Sequence, residues 1–166
     1  GIDTTWSGIG SCVWHLATHP EDRRRLVADS SLMPTAIEEF LRAYAPVTMA
    51  REVKQETEIN GCRFKQGEMV LLSFPAANRD PEIFAAPERF DITRDPNPHV
   101  AFGSGVHHCL GASLARLERE ILFQEVLARM PDIRLASDEP LERRPNNFIT
   151  GIERMPVVFT PSRASA

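Results

Sequence analysis

A glycine-rich loop around Cys109 is the part of this sequence best suited to chemistry. The loop occupies residues 102–111 and runs into a predicted helix over Ala112–Arg129. Free N–H groups in the first turn of a helix, and the positive end of its dipole, favour a thiolate over a thiol. Gly105 and Gly111 lack a Cβ, so they can adopt positive φ and let a flat ligand approach the sulfur. Cys109 is therefore a candidate metal ligand.

Other roles for Cys109 stay open on the residues alone. A free cysteine is most often a small buried hydrophobe. A zinc site would have to combine His107, His108 and Cys109, but adjacent residues rarely converge on one ion, and the sequence has no C-x-x-C pair. A nucleophilic cysteine–histidine pair requires a spatial contact that one sequence cannot show. A zinc or structural module and a nucleophile therefore remain as alternatives.

The spacing of five residues in the loop carries a family resemblance. The pattern Phe102-x-x-Gly105-x-His107-x-Cys109-x-Gly111 closely resembles the haem-ligand loop of the cytochrome P450 family. The resemblance implies that Cys109 is the axial thiolate of the iron of haem b, in a loop whose Gly111 also belongs to the haem site. It further implies that His107 hydrogen-bonds a haem propionate and that Phe102 packs over the ring near the sulfur.

The composition is that of an ordinary globular protein. The chain has 166 residues, 42% of them hydrophobic and 25% charged, with a net charge of -4 and a pI of about 5.8. This balance argues against a broad basic face for nucleic acid. No apolar run approaches the roughly twenty residues of a spanning helix, so we expect no membrane segment. Cys12, Cys62 and Cys109 are an odd and widely spaced set, which favours a reducing cytoplasm over a disulfide framework.

The sequence begins as if inside a helix. Apolar residues recur at helical spacing from the start, and no N-cap precedes them. We therefore expect residues 1–166 to be the C-terminal part of a single, longer domain. The residues on the predicted apolar face are Ile2, Trp6, Ile9, Val13 and Leu16.

The segment Gly1-Ile2-Asp3-Thr4-Thr5 has two interpretations. On its own, Asp3-Thr4-Thr5 is an N-cap signature. The segment also resembles the oxygen-binding part of the central helix of cytochromes P450. That resemblance implies two catalytic residues: Thr4 would hold dioxygen and its waters by hydrogen bonds, and Asp3 would deliver protons.

Glu39-Phe40-Leu41-Arg42 places a carboxylate and a guanidinium at i, i+3. An exposed pair of this kind stabilises a helix by only about 0.2–0.5 kcal/mol. The segment resembles the E-x-x-R motif of the same family, which implies a buried structural network. By the same resemblance Arg89, in Pro87-Glu88-Arg89-Phe90, would be the third member of the network.

A small antiparallel sheet is expected after this helix. Val47–Val53 alternates as a strand does, and Glu56–Phe64 folds back through Asn60-Gly61, a strong hairpin signal. Unaided, Arg51 would be a surface arginine; the resemblance implies that it reaches a haem propionate. It also implies a mostly apolar substrate pocket, lined by Val47, Thr48, Met49, Ala50, Phe148 and Ile149.

The remaining patterns complete a mainly α fold with small antiparallel β-sheets, the C-terminal portion of the cytochrome P450 fold. Residues 75–98 hold five prolines and little periodicity, which predicts a coiled, functional stretch. The predicted core face of the last helix is Leu110, Leu114, Leu117 and Ile121. Further helices are expected over Pro20–Ala28 and Ala36–Tyr44, and short strands and turns over Asp132–Phe159.

The resemblance implies a soluble, bacterial-type haem-thiolate monooxygenase. Such an enzyme inserts one oxygen atom from O2 into a small organic substrate. Its electrons come from a ferredoxin and ferredoxin reductase, or from a fused reductase domain. The alternative is a truncated haem-binding fragment without catalytic activity.

Overall fold

The computed structural model describes residues 2–144, 146 and 148–161. Gly1, with which the predicted oxygen-binding segment begins, and the end of the predicted 1–166 domain lie outside the described residues. The helices are α1 (Ile2–Thr18), α2 (Pro20–Ala28), α3 (Met33–Ala43), α4 (Phe74–Ala77) and α5 (Ala112–Arg129). The strands are β1 (Thr48–Glu52), β2 (Thr57–Ile59), β3 (Cys62–Phe64), β4 (Met69–Ser73), β5 (Arg134–Leu135), β6 (Glu142–Arg143), β7 (Ile152–Arg154) and β8 (Val157–Val158).

The described strands form two-stranded antiparallel sheets. β1 pairs with β4, from Thr48 opposite Ser73 to Glu52 opposite Met69. β2 and β3 form the predicted hairpin, whose turn residues Asn60 and Gly61 have φ of 50° and 79°. Positive φ at both turn residues matches the right-handed twist of the strands, which explains the strength of the Asn-Gly signal. Near the end of the chain β5 pairs with β8 and β6 with β7.

The hydrophobic core lies where α1, α3 and α5 meet. Leu16, Phe40 and Phe123 have no exposed surface, and the Phe40 and Phe123 rings lie 5.2 Å apart. The coiled stretch between α4 and α5 contributes Ile92, also fully buried. The predicted lack of periodicity there is therefore compatible with a packed segment, since single apolar residues anchor it to the helices.

The predicted core face of α5 is wrong. Leu110, Leu114, Leu117 and Ile121 are all at least half exposed. The helix instead buries Ala112, Phe123, Val126 and Leu127, together with Arg119. Since α5 carries apolar residues on two faces, periodicity alone could not decide which of them packs against α1 and α3.

A buried polar cluster joins α1, α2 and α3. His15 is fully buried, and its two ring nitrogens lie 2.7 Å from the Tyr44 hydroxyl and 3.0 Å from Asp22 Oδ2. A carboxylate only accepts hydrogen bonds, so Nε2 of His15 donates to Asp22 and Nδ1 accepts from Tyr44. Burial lowers the pKa of His15 to about 4, although the hydrogen bond to Asp22 opposes that shift. His15 is therefore neutral in the folded protein at neutral pH.

This cluster predicts a loss of stability in mild acid. The unfolded chain takes up a proton at His15 below about pH 6.5, whereas the folded chain does so only near pH 4. The contribution of His15 to the free energy of unfolding is thus complete above pH 6.5 and falls as the pH drops toward 4. Urea unfolding at several pH values measures this effect. Between pH 6.5 and 4 the free energy of unfolding should fall less steeply for His15→Gln than for the unaltered protein. Equal slopes would contradict a neutral, buried His15.

Candidate active site

A wide cleft of about 1120 Å³ opens between the first turns of α1, the β1–β4 sheet and the loop before α5. Most of its walls are apolar, with Leu71 and Leu72 from β4 and Phe74 from α4 among them. Cys109 lies on the wall formed by the loop. A large apolar cleft with a few polar groups is the usual form of a ligand site.

Cys109 is the cysteine that the structure offers to a ligand. Its thiol is exposed and faces the cleft, and its backbone N–H donates to the Phe102 carbonyl at 2.9 Å. Cys12 is buried, and burial raises the pKa of its thiol to about 12, although the nearby Arg119 guanidinium opposes this shift. Cys62 is exposed on β3, away from the cleft lining.

The glycines of the loop differ in their backbone conformation. Gly105 has φ of +61° and Gly103 of +74°, conformations that favour glycine. Gly111 has φ of -86°, so the expectation of positive φ is wrong at this position. A Cβ at Gly111 would lie 3.9 Å from the Cys109 sulfur, an ordinary van der Waals contact, so Gly111 adjoins the thiol.

The other predicted cofactor-binding residues share the same cleft. Arg51 on β1, together with Phe102 and His107 in the loop, lines it alongside Cys109. Arg51 is held by a hydrogen bond of 2.8 Å from Nη1 to the Ala50 carbonyl. The structure thus brings one guanidinium, one imidazole, one aromatic ring and one thiol to a single apolar cleft.

The first turns of α1 form another part of the cleft wall. Thr4 and Thr5 line the cleft together with the apolar side chains of Ile2, Trp6 and Ile9. Of the predicted apolar face, only Leu16 is buried. The predicted apolar face of α1 therefore lines the cleft near the start of the helix and packs in the core near its end.

Asp3 is not part of the cleft lining. Its side chain is 63% exposed, and Oδ1 lies 3.5 Å from Nη1 of Arg144. Arg144 also pairs with Glu153 at 2.8 Å and packs over the Trp6 ring at 4.8 Å. Asp3 thus lies at the surface, next in sequence to the cleft residue Thr4.

The predicted substrate-pocket residues divide according to strand alternation. Val47 and Met49 line the cleft, as does Arg51, because alternate residues of a strand point to the same side. The prediction is wrong for Thr48 and Ala50, which lie between them and are not part of the cleft lining. Ile149 forms a β-bridge with Val47, and the Phe148 carbonyl accepts from the Thr48 N–H. Phe148 and Ile149 thus support the β1 end of the wall without being part of the lining in this structure.

Glu39 and Arg42 form the buried pair that the sequence predicts. Two nitrogens of Arg42 donate to the two oxygens of Glu39 at 2.7 and 2.8 Å, and both side chains are essentially inaccessible. Arg42 also donates to the carbonyls of Asn78, Pro87 and Arg89. The pair therefore fixes the coiled stretch that leads to the Cys109 loop.

The third member of this network is Arg94, and the prediction of Arg89 is wrong. The Arg89 side chain is 73% exposed and lies near Asp91, so this residue contributes only its backbone carbonyl. Nε of Arg94 donates to Glu39 at 3.1 Å, and the Arg94 side chain is 12% exposed. Asn97 adds a hydrogen bond to the same carboxylate at 3.0 Å. Sequence distance alone could not choose between two arginines in an aperiodic stretch.

Sequence reasoning also missed a second carboxylate on α3. Glu38 accepts from Arg116 of α5 and from His99, which stands just before the Cys109 loop. Partial burial would raise the pKa of Glu38, but the hydrogen bonds from His99 and Arg116 outweigh burial and lower it to about 2. The only feature of the sequence that could have indicated this contact is the position of Glu38 next to Glu39. Successive residues of a helix point in different directions, so Glu38 meets a different neighbour from Glu39.

The cleft suits a ligand that supplies most of its own metal coordination. Among the described residues, no group of three or more His, Cys, Asp or Glu side chains is placed to hold a metal ion. Zinc requires three or four protein ligands, whereas haem supplies most of the ligands of its iron and would need a single one from this chain. One exposed thiol in a wide apolar cleft, with Arg51 and His107 available for carboxylates, fits haem and does not fit zinc.

Comparison with known proteins decides the family. The sequence profile described as Cytochrome P450 matches residues 1–132. The chain belongs to the cytochrome P450 family. A steroid C26-monooxygenase of Mycolicibacterium smegmatis is 47% identical over 163 residues, covering 98% of this chain and 41% of that protein. The biotin biosynthesis cytochrome P450 of Bacillus subtilis is 46% identical over 160 residues, covering 96% of this chain and 40% of that protein.

Solved cytochrome P450 structures confirm the predicted fold class. P450BioI, in complex with an acyl carrier protein ligated to hexadec-9Z-enoic acid, matches with a TM-score of 0.90 and 44% identity over 95% of this chain and 41% of that one. CYP109E1 from Bacillus megaterium, in complex with testosterone, matches with a TM-score of 0.90 and 36% identity. The match covers 96% of this chain and 44% of that one. This P450 chain thus spans about two fifths of its relatives. None of its described helices has the length and hydropathy needed to cross a membrane.

Proposed function

We propose that the complete protein containing these residues is a haem-thiolate monooxygenase that inserts one oxygen atom from O2 into an apolar organic substrate. The observation that carries this proposal is the exposed Cys109 thiol on the wall of a wide apolar cleft that Thr4 also lines. Membership of the cytochrome P450 family supports the same chemistry. The alternative of a non-catalytic haem-binding fragment has no comparable support.

Five residues would form the cofactor site. Cys109 would be the single protein ligand of haem b, and Arg51 and His107 would bind its propionates. Phe102 would pack against the ring beside the sulfur, and Gly111 would leave the sulfur accessible. Haem, when bound, supplies the activation of dioxygen, while the protein provides the ligand, the orientation of the substrate and the supply of protons.

Thr4 and Asp3 would manage protons. The Thr4 hydroxyl can both donate and accept a hydrogen bond. It would therefore hold a water molecule, and the proton that this water carries, where dioxygen would bind in the cleft. Asp3 has an exposed carboxylate next to Thr4 and can exchange protons with solvent. Its ion pair with Arg144 would hold it in place between bulk water and the cleft.

The substrate class follows from the walls of the cleft and from the relatives. Val47, Met49 and Leu72 offer apolar contacts, which suits a substrate with few polar groups. One relative is named for steroid oxidation, and one similar structure holds testosterone. We propose a steroid-like substrate, with a long acyl chain as the competing class because of the acyl carrier protein complex of P450BioI.

We further propose a ferredoxin and ferredoxin reductase as electron donors in the cytoplasm, with a fused reductase domain as the alternative. The unpaired cysteines Cys12, Cys62 and Cys109 suit a reducing compartment. The function is tested with the haem-loaded complete protein, this electron supply, and a panel of steroids and fatty acyl substrates under isotopically labelled O2. The proposal predicts one labelled oxygen atom in the product. Unlabelled product, or none from either class, would contradict it.

Thr4→Ala in the complete protein should uncouple reductant use from product formation. Without the hydroxyl, protons reach dioxygen less selectively, so reductant should be consumed at a similar rate with most of it yielding hydrogen peroxide. The measurement is product and peroxide formed per reductant consumed. Thr4→Ser, which keeps the hydroxyl, should restore coupling. Unchanged coupling in Thr4→Ala would mean that the proton path runs elsewhere.

Asp3→Asn should behave differently from Thr4→Ala. The amide cannot shuttle protons, so reductant consumption and product formation should slow together while their ratio is kept. The two variants therefore separate proton supply from proton placement. If Asp3→Asn kept the rate of the unaltered protein, Asp3 would have no part in proton supply. Its role would then be limited to the ion pair with Arg144.

A further inference from the structure

Adjacent carboxylates on α3 anchor different parts of the chain. Glu39 binds the coiled stretch between α4 and α5, as described above. Glu38 lies next to it but about 100° around the helix, so it faces elsewhere. Its Oε1 accepts from Nε of Arg116 at 2.6 Å, and its Oε2 accepts from Nη2 of Arg116 at 2.9 Å and from Nε2 of His99 at 2.9 Å. One carboxylate thus joins α3, α5 and the segment just before the Cys109 loop.

His99 extends this contact to the backbone of the loop. Its side chain is 3% exposed. Because the Glu38 oxygen can only accept, Nε2 of His99 carries the proton, and Nδ1 is then free to accept the Ala101 N–H at 3.2 Å. Both ring nitrogens are therefore used, and the backbone is fixed one residue before Phe102.

Arg116 extends it to the Phe102 ring. Two parallel hydrogen bonds to Glu38 fix the plane of the guanidinium, which a single hydrogen bond would leave free to rotate. The carbon of that guanidinium lies 4.8 Å from the centre of the Phe102 ring, within the range of a cation–π contact. The backbone carbonyl of Phe102 in turn accepts a hydrogen bond of 2.9 Å from the backbone N–H of Cys109. The ring and backbone of Phe102 are thus held from two directions, and Phe102 holds Cys109.

We propose that Glu38, His99 and Arg116 act as positioning residues that set the orientation of Phe102 and, through it, of Cys109. The inference rests on the proposed haem-thiolate function. None of the three residues lines the cleft, so they act through Phe102. Their disruption should loosen residues 99–109 while the rest of the fold remains intact.

The test compares Arg116→Lys and Glu38→Gln with Arg129→Lys in the complete protein. Lysine keeps the charge of Arg116 but offers neither two parallel hydrogen bonds nor a flat face for Phe102. Glutamine keeps the shape of Glu38 but removes its charge. Arg129 is the matched control on the same helix, because its ion pair with Glu125 at 2.6 Å is exposed.

The first measurement is amide hydrogen exchange in the haem-free protein. Arg116→Lys and Glu38→Gln should speed exchange across residues 99–109 and leave the midpoint of urea unfolding where Arg129→Lys leaves it. The second is the lifetime of the thiolate–haem carbonyl band of the reduced, haem-loaded protein. It should shorten by about tenfold, the lower end of the usual effect of residues that support a metal ligand.

Exchange and lifetimes equal to those of Arg129→Lys would overturn the proposal. So would faster exchange spread over the whole chain with a lower unfolding midpoint, since that would make the contact a general support of the fold. If the unaltered protein gave no thiolate–haem carbonyl band, the proposed function would fail, and the exchange pattern in the haem-free protein would still decide whether the three residues hold the loop.

Discussion

Replacing Glu39 by alanine is expected to lower the free energy of unfolding by about 3–5 kcal/mol, the range for breaking a buried ion pair by removing one partner. Glu39 is fully buried and accepts hydrogen bonds from Arg42, Arg94, Asn97 and the Asp91 N–H. Its removal would leave the buried Arg42 and the mostly buried Arg94 guanidinium without their shared carboxylate. Since Arg42 also fixes the coiled stretch before the Cys109 loop, haem retention should fall together with stability. Urea unfolding and the haem content of the purified complete protein measure both effects.

Two control variants make this prediction specific. Glu125→Ala removes an exposed ion pair with Arg129, for which the expected change is at most about 1 kcal/mol. Arg89→Ala should likewise have a small effect because its side chain is 73% exposed, whereas Arg94→Ala should approach the effect of Glu39→Ala. A Glu39→Ala protein that is as stable and haem-replete as Glu125→Ala would refute the buried network. A larger effect of Arg89→Ala than of Arg94→Ala would refute the pairing seen in the structure.

Local signals in the sequence predicted most of the elements. Pro20 at the first turn of α2 and Asn60-Gly61 in the β2–β3 turn each restrict the backbone by themselves, so no tertiary information is needed. The helix α5 was predicted with its observed bounds, because the glycine-rich loop before it marks its start. The residue types and spacing of the Cys109 loop are local as well, and they predict a haem-ligand loop, which stays a prediction.

Choices that depend on tertiary packing could not be predicted in this way. Arg89 and Arg94 are equally plausible partners of a carboxylate until the coiled stretch is folded against α3. The two apolar faces of α5 differ only in what packs against them. The contact of Glu38 with Arg116 joins residues 78 positions apart, and no local pattern encodes it.

The central claim is that Cys109 is the thiolate ligand of haem, and the spectrum of the reduced, carbon monoxide-bound complete protein tests it most directly. The unaltered protein should show the strongly red-shifted Soret band of a thiolate–haem carbonyl, because a thiolate donates more electron density to the iron than a neutral ligand does. In Cys109→Ala the band should be lost entirely, since Cys12 is buried and Cys62 lies outside the cleft lining. Cys62→Ala is the matched control and should keep the full band. Persistence of the band in Cys109→Ala would show that another residue binds the iron and would contradict the account.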